Sequence, residues 1–324
     1  MKTKLLYILV SSQADVYTEQ AYISVYSARL RNPDARIVLL TDRDTLDGMA
    51  GRGDIGKKFL DLFSVINAVD LDPALSPMKR SRILKTGMRG YVEGDFLYID
   101  TDTVVTRALD EADCIPAPLA ACPDLHSSFD EHPHRQATIN ICKRLGFDAS
   151  GEKWYFNSGV MLVRDTPQNH AFFKAWQQNY LSADVKPDQP SLAKTNASMG
   201  HPVALLDGEW NCEVQNGVRY LRDAYVVHYM VTNVGSGPQD RLFLLNDKEV
   251  LLRMRQAGGI TAEISEVISN PFKGYAPVTQ VFAGDDLYLF RTRRYRSLRK
   301  RYVRGKWSLC EFLLKVKDHL LCQK

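Results

Sequence analysis

Short runs of consecutive apolar residues alternate along the chain with longer stretches in which apolar residues return every three or four positions. The short runs are 5–10 (LLYILV), 37–40 (IVLL), 96–99 (FLYI), 160–163 (VMLV), 203–206 (VALL) and 225–229 (YVVHY). They lack polar alternation, so each predicts a strand buried on both faces, with helices covering both sides. The longer stretches predict helices. Residues 17–31 place Ala21, Val25 and Ala28 on one side and stop before Pro33. Residues 78–91 follow Pro77 and carry Ile83 and Met88 among basic residues. Residues 167–181 open on a proline, tolerated in a first turn, and turn Phe172, Ala175, Trp176 and Leu181 towards a core. Residues 248–256 end just before Gly258, suited to a C-cap. From about 234 to 288 the chain otherwise offers no motif. The alternation predicts an α/β fold.

Composition changes this picture little. The chain has 324 residues, 45% hydrophobic and 25% charged, which suits one large α/β domain, or a core with a smaller appendage, rather than wholesale disorder. The run 5–10 is at the short limit for the apolar part of a signal peptide. The SSQADVY after it has no small-x-small cleavage site, so a buried strand is the expectation. No stretch approaches the roughly 18 apolar residues of a membrane span. The six cysteines, Cys114, Cys122, Cys142, Cys212, Cys310 and Cys322, form no CxxC pair and read as reduced thiols in a cytosolic compartment. The net charge of +4 hides an asymmetry. Residues 291–306 (RTRRYRSLRKRYVRGK) contain no acid, which marks an appended basic tail with its own partner. A dinucleotide dehydrogenase or a P-loop enzyme is not expected.

Candidate chemistry lies where strands end. Asp42, Asp100 and Asp207 each close an apolar run, and ligands of open parallel sheets collect at the carboxyl ends of strands. In Tyr98-Ile99-Asp100-Thr101-Asp102-Thr103 an apolar strand runs into two carboxylates one residue apart. They either converge on a hard cation such as Mn²⁺ or Mg²⁺ or form a solvated strand-end turn. In Tyr155-Phe156-Asn157-Ser158-Gly159-Val160 a small polar turn feeds a strand. Gly159 admits a ligand close to the backbone and Asn157 suits sugar hydroxyls, unless this is an ordinary tight turn. Asp188-Gln189 opens a helix after Pro187, where Asp188 is a sugar contact or a plain N-cap. His228 in YVVHYM is a core histidine, or a metal ligand if its strand end lies near Asp100.

Together these pieces resemble glycosyltransferase family 8, the bacterial lipopolysaccharide galactosyl- and glucosyltransferase group. Its motif order is matched here by Asp15 and Tyr17, Arg82, YIDTDTVV, YFNSGVMLV, Asp188-Gln189, Trp210-Asn211 and His228, over roughly residues 4–230. The resemblance implies a GT-A fold, a UDP-sugar donor, Mn²⁺ or Mg²⁺, and transfer with retained configuration through an oxocarbenium-like transition state. It implies that Asp100, Asp102 and His228 ligate the metal. Tyr17 lies against the uracil with Ser11 or Ser12 lining the pocket, and Arg82 steadies the DxD loop or the donor phosphates. Thr101 and Ser158 border the donor. Asn157, Asp188 and Gln189 face the transferred sugar, with Gln189 on the reactive face as a positioning or stabilising group. Two departures stand out. The family's G-x-x-K-P-W after the histidine is here Tyr229-Met230-Val231-Thr232-Asn233-Val234-Gly235, and Asp15 lies two residues before Tyr17 rather than three.

The domains expected are a GT-A catalytic domain at 1–235, an extension packed on it at 236–290, and a basic amphipathic tail at 291–324. His126, His132 and His134, with Asp124 and Glu131, lack a regular zinc spacing and read as a loop beside the acceptor pocket. The tail mixes basic residues with Tyr295, Tyr302, Trp307 and Phe312. That suits an anionic membrane surface, with a solvated or packed helix and nucleic-acid binding as rivals. The expectation is a cytoplasmic enzyme on the inner face of the cytoplasmic membrane, acting on a saccharide or lipid-linked acceptor and not on nucleic acid. A nucleotide-sugar or metal-binding domain without transferase activity, or a metal-dependent phosphoryl or nucleotidyl transferase, is the alternative.

Overall fold

Strand β1 (Lys4–Leu9) opens a computed structural model that describes residues 1–182, 185–214, 216–230, 244–274, 292–294 and 297. It is followed by α1 (Tyr17–Arg31), β2 (Ile37–Asp42), α2 (Arg43–Gly48), α3 (Asp54–Leu60), β3 (Val65–Val69), α4 (Pro77–Gly87), β4 (Phe96–Ile99) and β5 (Thr103–Val105). Then come β6 (Leu119–Pro123), α5 (Arg135–Arg144), β7 (Phe156–Val163), α6 (Pro167–Leu181), α7 (Gln189–Ser198) and β8 (Ala204–Leu205). The last are β9 (Cys212–Glu213), β10 (Val226–His228), α8 (Lys248–Ala257) and α9 (Ala262–Ser269). All belong to one compact unit, Met1–Thr279.

Seven strands form a mixed sheet in the order β3-β2-β1-β4-β7-β6-β8, and β5-β10-β9 form a small second sheet. β3, β2, β1 and β4 run parallel, while β7 is antiparallel to both its neighbours. Side chains alternate across a strand, and β1 shows the result. Leu5, Tyr7 and Leu9 face a core with Ala21, Val25 and Ala28 of α1 and Val250 and Ile264 of α8 and α9. Leu6 and Ile8 face another, with Leu84, Phe172, Trp176 and Leu192 of α4, α6 and α7. Burying each such large side chain contributes about 1.5–3 kcal/mol, so the sheet is held between two helical layers, as its continuous apolar runs require.

The helix ends follow their local chemistry. Ser76 and Thr166 cap α4 and α6 by accepting from Lys79 N and Asn169 N, each with proline in the first turn. Asp247 caps α8, and Gly258 closes it in the left-handed region at φ 63°.

Several expectations are corrected. The 225–229 run is not part of the large sheet: β10 lies in the small one. The 203–206 run shrinks to the edge strand β8, and Leu205 is exposed. The helix expected at 78–91 ends at Gly87, and Met88–Gly90 tighten into a 3-10 turn. The stretch after 234 contains the capped helix α9. Residues 51–56 (GRGDIG) match the glycine spacing of a dinucleotide-binding turn, but α2 separates them from β2, and a Cβ on Gly51 would lie 1.9 Å from the Gln13 side chain. Cys114, Cys122, Cys142 and Cys212 are free thiols. Among the described residues no helix is long and apolar enough to cross a membrane. The basic tail, Cys310 and Cys322 lie outside the described residues, four positions at 292–297 excepted.

Candidate active site

Asp100-Thr101-Asp102 is the crossing by which the chain leaves β4 for β5 and so passes from the large sheet to the small one. The backbone holds this bend from both sides. Asp100 N donates to Gly159 O at 2.7 Å, and Tyr229 N to Asp102 O at 3.0 Å. Thr103 Oγ1 donates to Asp100 O at 2.8 Å. β10 pairs with β5 so that His228 lies opposite Thr103, which delivers the imidazole to the carboxylates. One ligand atom from each of Asp100, Asp102 and His228 lies within 4.8 Å of the others. Donors spread over that span suit a divalent cation bonded to oxygen and nitrogen at roughly 2.1–2.3 Å.

His228 is buried. Its Nδ1 lies 2.9 Å from Asn211 Oδ1, and its Nε2 lies 3.2 Å from Asp102 Oδ1. An amide oxygen only accepts, so Nδ1 carries a hydrogen and Nε2 faces the carboxylates. Burial favours the neutral ring, but Asp102 and then Asp100 outweigh it and raise its proton affinity above the ordinary histidine value. The carboxylate field that attracts a proton here also favours a cation.

At Gly159 of β7 the backbone leaves room for the imidazole. A Cβ there would lie 2.3 Å from His228 Cε1 and 2.8 Å from Asn157 Oδ1. The space that the sequence reading reserved for a ligand is taken by this ring. Gly159→Ala is therefore expected to fold with a loss of about 1–3 kcal/mol and to lose metal-dependent nucleotide binding. Thermal unfolding and calorimetry check this; binding equal to wild type would show that the position of His228 is immaterial.

Helix α4 supplies two cations three residues apart and thus on one face. Arg82 Nε lies 3.1 Å from Asp188 Oδ1. Lys85 Nζ lies 3.0 and 3.1 Å from the two oxygens of Asp100, and 3.8 Å from Asp188 Oδ2. Tyr98 OH also donates to Asp100. So the ion pair of Arg82 is with Asp188, and the cation on the DxD loop is Lys85, which sequence reasoning missed. Its spacing from Arg82 was the available signal. Asp188 does not cap α7 with its side chain; it accepts from Ser158 Oγ at 2.7 Å. Burial pushes the Asp188 carboxyl up, but Arg82, Lys85 and the Ser158 hydroxyl outweigh it and hold it down at about 2.

A third carboxylate, Asp124, follows β6 and ends an apolar strand as Asp100 does, although the sequence placed it only with the histidines of the following loop. Its Oδ1 accepts from Asn157 Nδ2 and from Gln189 Nε2, both at 2.8 Å, and its Oδ2 lies 2.9 Å from His132 Nε2. Backbone His134 N donates to His132 Nδ1 at 3.1 Å, so His132 presents Nε2–H to Asp124. The next residues, Leu125 and His126, both have positive φ, a costly state for such side chains. Glu213 holds the turn: its Oε2 accepts from Leu125 N at 2.8 Å, and its own N donates to His126 Nε2 at 3.1 Å. His126 and His132 thus have separate partners, and helix α5 starts directly after this loop, at Arg135. Asn157, expected against the sugar, has both ends of its amide engaged by protein.

Ser11 and Ser12 follow β1 on the same sheet edge, since β1 and β4 are parallel neighbours. Both hydroxyls donate to Asp15, at 2.6 and 3.0 Å, and Tyr17 starts α1 beside them. Arg52 and Arg255 share buried Glu19 at 2.9 and 2.7 Å. Arg52 Nη2 also donates to Ser11 Oγ at 2.9 Å, and Arg255 Nη1 to Gln13 O at 3.1 Å. Asp42 and Asp207 cap short helices and do not join the Asp100 cluster.

A family model described as nucleotide-diphospho-sugar transferase matches residues 81–242, half of the chain. No curated protein matches the sequence. Among solved structures, the apo bifunctional glycosyltransferase WbbM aligns with a TM-score of 0.53 at 14% identity over 83% of this chain and 52% of its own. The chain thus spans about half the length of WbbM. The galactosyltransferase LgtC with donor and acceptor sugar analogues aligns with a TM-score of 0.51 at 16% identity, over 82% of this chain and 99% of LgtC. An active-site mutant of LgtC aligns with a TM-score of 0.50 at 17% identity, over 81% and 98%. The architecture shared with these structures is the GT-A fold.

Proposed function

The chain belongs to the nucleotide-diphospho-sugar transferase family, and from that premise we propose that it is a family 8 glycosyltransferase that moves a hexose from a UDP-sugar to a saccharide or lipid-linked saccharide, with retention. The observation that carries the reading is the meeting of Asp100 and Asp102, from the bend between β4 and β5, with His228 of β10, next to the Arg82–Asp188 and Lys85–Asp100 pairs.

Asp100, Asp102 and His228 hold a divalent ion, Mn²⁺ or Mg²⁺, which when bound neutralises the charge growing on the leaving diphosphate. The chain's other residues orient the donor. Ser11, Ser12 and Tyr17 line the base pocket on a loop that Arg52 and Arg255 fix. Thr101 and Ser158 border the diphosphate and sugar. Asp188 stays ionised at neutral pH, tied to Arg82 and Ser158, and serves as a fixed negative wall for the sugar rather than as a nucleophile. Gln189 gives its amide hydrogens to Asp124 and Phe156 O, which turns its carbonyl oxygen outward. Among the described residues that oxygen has no protein partner, and a carbonyl dipole so directed stabilises positive charge at an anomeric carbon. Residues 291–306 bring the enzyme to an anionic membrane surface; deletion of everything after Tyr288 is expected to abolish binding to anionic liposomes.

Calorimetry of UDP with Mn²⁺ and with EDTA tests the donor reading. Binding that requires metal supports it, and a screen of UDP-sugars for transfer then names the sugar. UDP binding indifferent to metal, or absent altogether, would leave a nucleotide-sugar fold without this chemistry.

A further inference from the structure

The loop between β1 and α1 turns its own polar groups inward. Asp15 accepts from the Ser11 and Ser12 hydroxyls, and also from backbone Ser12 N at 2.6 Å and Tyr17 N at 3.1 Å. The Ser11 hydroxyl accepts in turn from Thr18 and Arg52, both at 2.9 Å. These bonds fold the loop but do not tie its exposed tip, Gln13 and Ala14, to the rest of the protein. Arg255 of α8 does. Its Nη1 donates to Gln13 O at 3.1 Å and its Nη2 to Asp15 O. Among the described residues no other side chain bonds the main chain of 13–15. The same guanidinium gives Nε and Nη2 to the two oxygens of buried Glu19, at 2.7 and 2.9 Å. Glu19 lies in the first turn of α1, so one planar fork joins the tip to the helix that follows it. Its mount is fixed: Val250, Leu251 and Met254 bury α8, and Lys58 donates to Gly258 O at the helix end at 2.6 Å. Arg52 acts elsewhere. It pairs with Glu19 at 2.9 Å and holds Ser11 Oγ and Ser12 O, at the strand end of the loop. Without Arg255, Glu19 keeps a cation and the root of the loop keeps its bonds; only the tip is released.

We propose that Arg255 is a positioning residue for the nucleotide donor: it holds the main chain of 13–15 in the shape that receives the base. Helix α8, whose Arg255 stands 240 residues along the chain from Asp15, is thereby a working part of the donor site rather than a cover on the core. The Ser11 and Asp15 side chains are committed within the protein, so the base meets a surface whose form depends on how the main chain is held. A tip held before binding spares the ligand the cost of ordering it. The inference rests on the donor reading above, and its test separates the two.

The test is calorimetry with UDP and, separately, with inorganic pyrophosphate, each with Mn²⁺, on wild type, Arg255→Met, Arg255→Lys and Arg253→Met. Pyrophosphate has no base and reports the phosphate end of the site alone. Arg255→Met keeps the aliphatic stem. It is expected to bind UDP roughly 10-fold more weakly, the order expected when the ligand must itself order the tip, with pyrophosphate affinity unchanged. Lysine keeps a charge beside Glu19 but not the fork. Arg255→Lys is therefore expected to recover the thermal stability of wild type and still bind UDP as weakly as Arg255→Met. Arg253, on the same helix, pairs with exposed Glu263 at 2.9 Å, and Arg253→Met is expected to match wild type with both ligands. Hydrogen exchange of the ligand-free proteins reads the loop directly: amides of 12–17 exchange faster in Arg255→Met than in wild type or Arg253→Met. A wild type that binds UDP no more tightly than pyrophosphate would remove the base pocket and the proposal with it. A wild type that prefers UDP, with Arg255→Met equal to it or weakened alike for both ligands, would leave the donor reading standing and overturn the proposal. Unchanged exchange, or full UDP affinity in Arg255→Lys, would overturn it too. Should Arg255→Met not fold, Arg255→Lys carries the test.

Discussion

Asp102→Asn is expected to cut sugar transfer by about 10³-fold, and the Asp100→Asn/Asp102→Asn pair to abolish the metal-dependent part of UDP binding. The substitution keeps size and shape, so the bend between β4 and β5 and its backbone bonds from Thr103 and Tyr229 survive. What changes is charge. A neutral amide is a poor ligand for a hard divalent ion, and the diphosphate loses the cation that offsets its own charge. A 10³-fold loss corresponds to about 4 kcal/mol of transition-state stabilisation, within what a catalytic metal supplies. Steady-state transfer with the best UDP-sugar, together with calorimetry, reads both effects. Transfer within tenfold of wild type would remove the metal site from the chemistry and with it the main support for the reading.

Arg82→Met is the substitution expected to cost most stability, about 2–4 kcal/mol at neutral pH, because it strands a buried carboxylate. Asp188 is buried, and its ionisation depends on Arg82 first and Lys85 second. Its folded value of about 2 lies below the roughly 3.9 of an unfolded aspartate. A depressed carboxylate contributes stability that is fully present above the unfolded value and is lost as pH falls through the folded one. The wild type therefore loses this contribution between about pH 4 and pH 2. Once Asp188 is protonated in both states, Arg82 has little left to stabilise. The gap between wild type and Arg82→Met is expected to be wide at pH 7 and to narrow below pH 3, as read by denaturant unfolding at both. A gap independent of pH would mean that Arg82 acts by packing alone.

Much of the fold was legible because its signals are local. Helices α1 and α6 begin and end where the sequence places them, since Pro33, Thr166 and Pro167 act within a turn of their own positions. Strands β1 and β4 were visible as unbroken apolar runs, the mark of strands covered on both faces. Strand β5 was not, because three residues carry no period. Strand β10 was seen, but not its place in the small sheet: an apolar run records that it is buried, not against what. The acids at 100 and 102 and the histidine at 228 were likewise visible as residue types at strand ends.

The sequence by itself thus determined the α/β alternation, the bounds of α1 and α6, and which residues were fit to hold a cation. Only the tertiary structure decided which of them meet. The antiparallel register of β7 on β4 brings Gly159 and Ser158 to the Asp100 edge, and that of β10 on β5 brings His228 there. The same packing turns Arg82 to Asp188, gives Asp100 to Lys85, and closes the bonds from Asp124 through Asn157 and Asn211. The physical reason is that propensity and hydrophobic period act over a few residues. Coulombic attraction and hydrogen-bond direction depend on distance and angle between groups far apart in the chain, which exist only once the two sheets have packed.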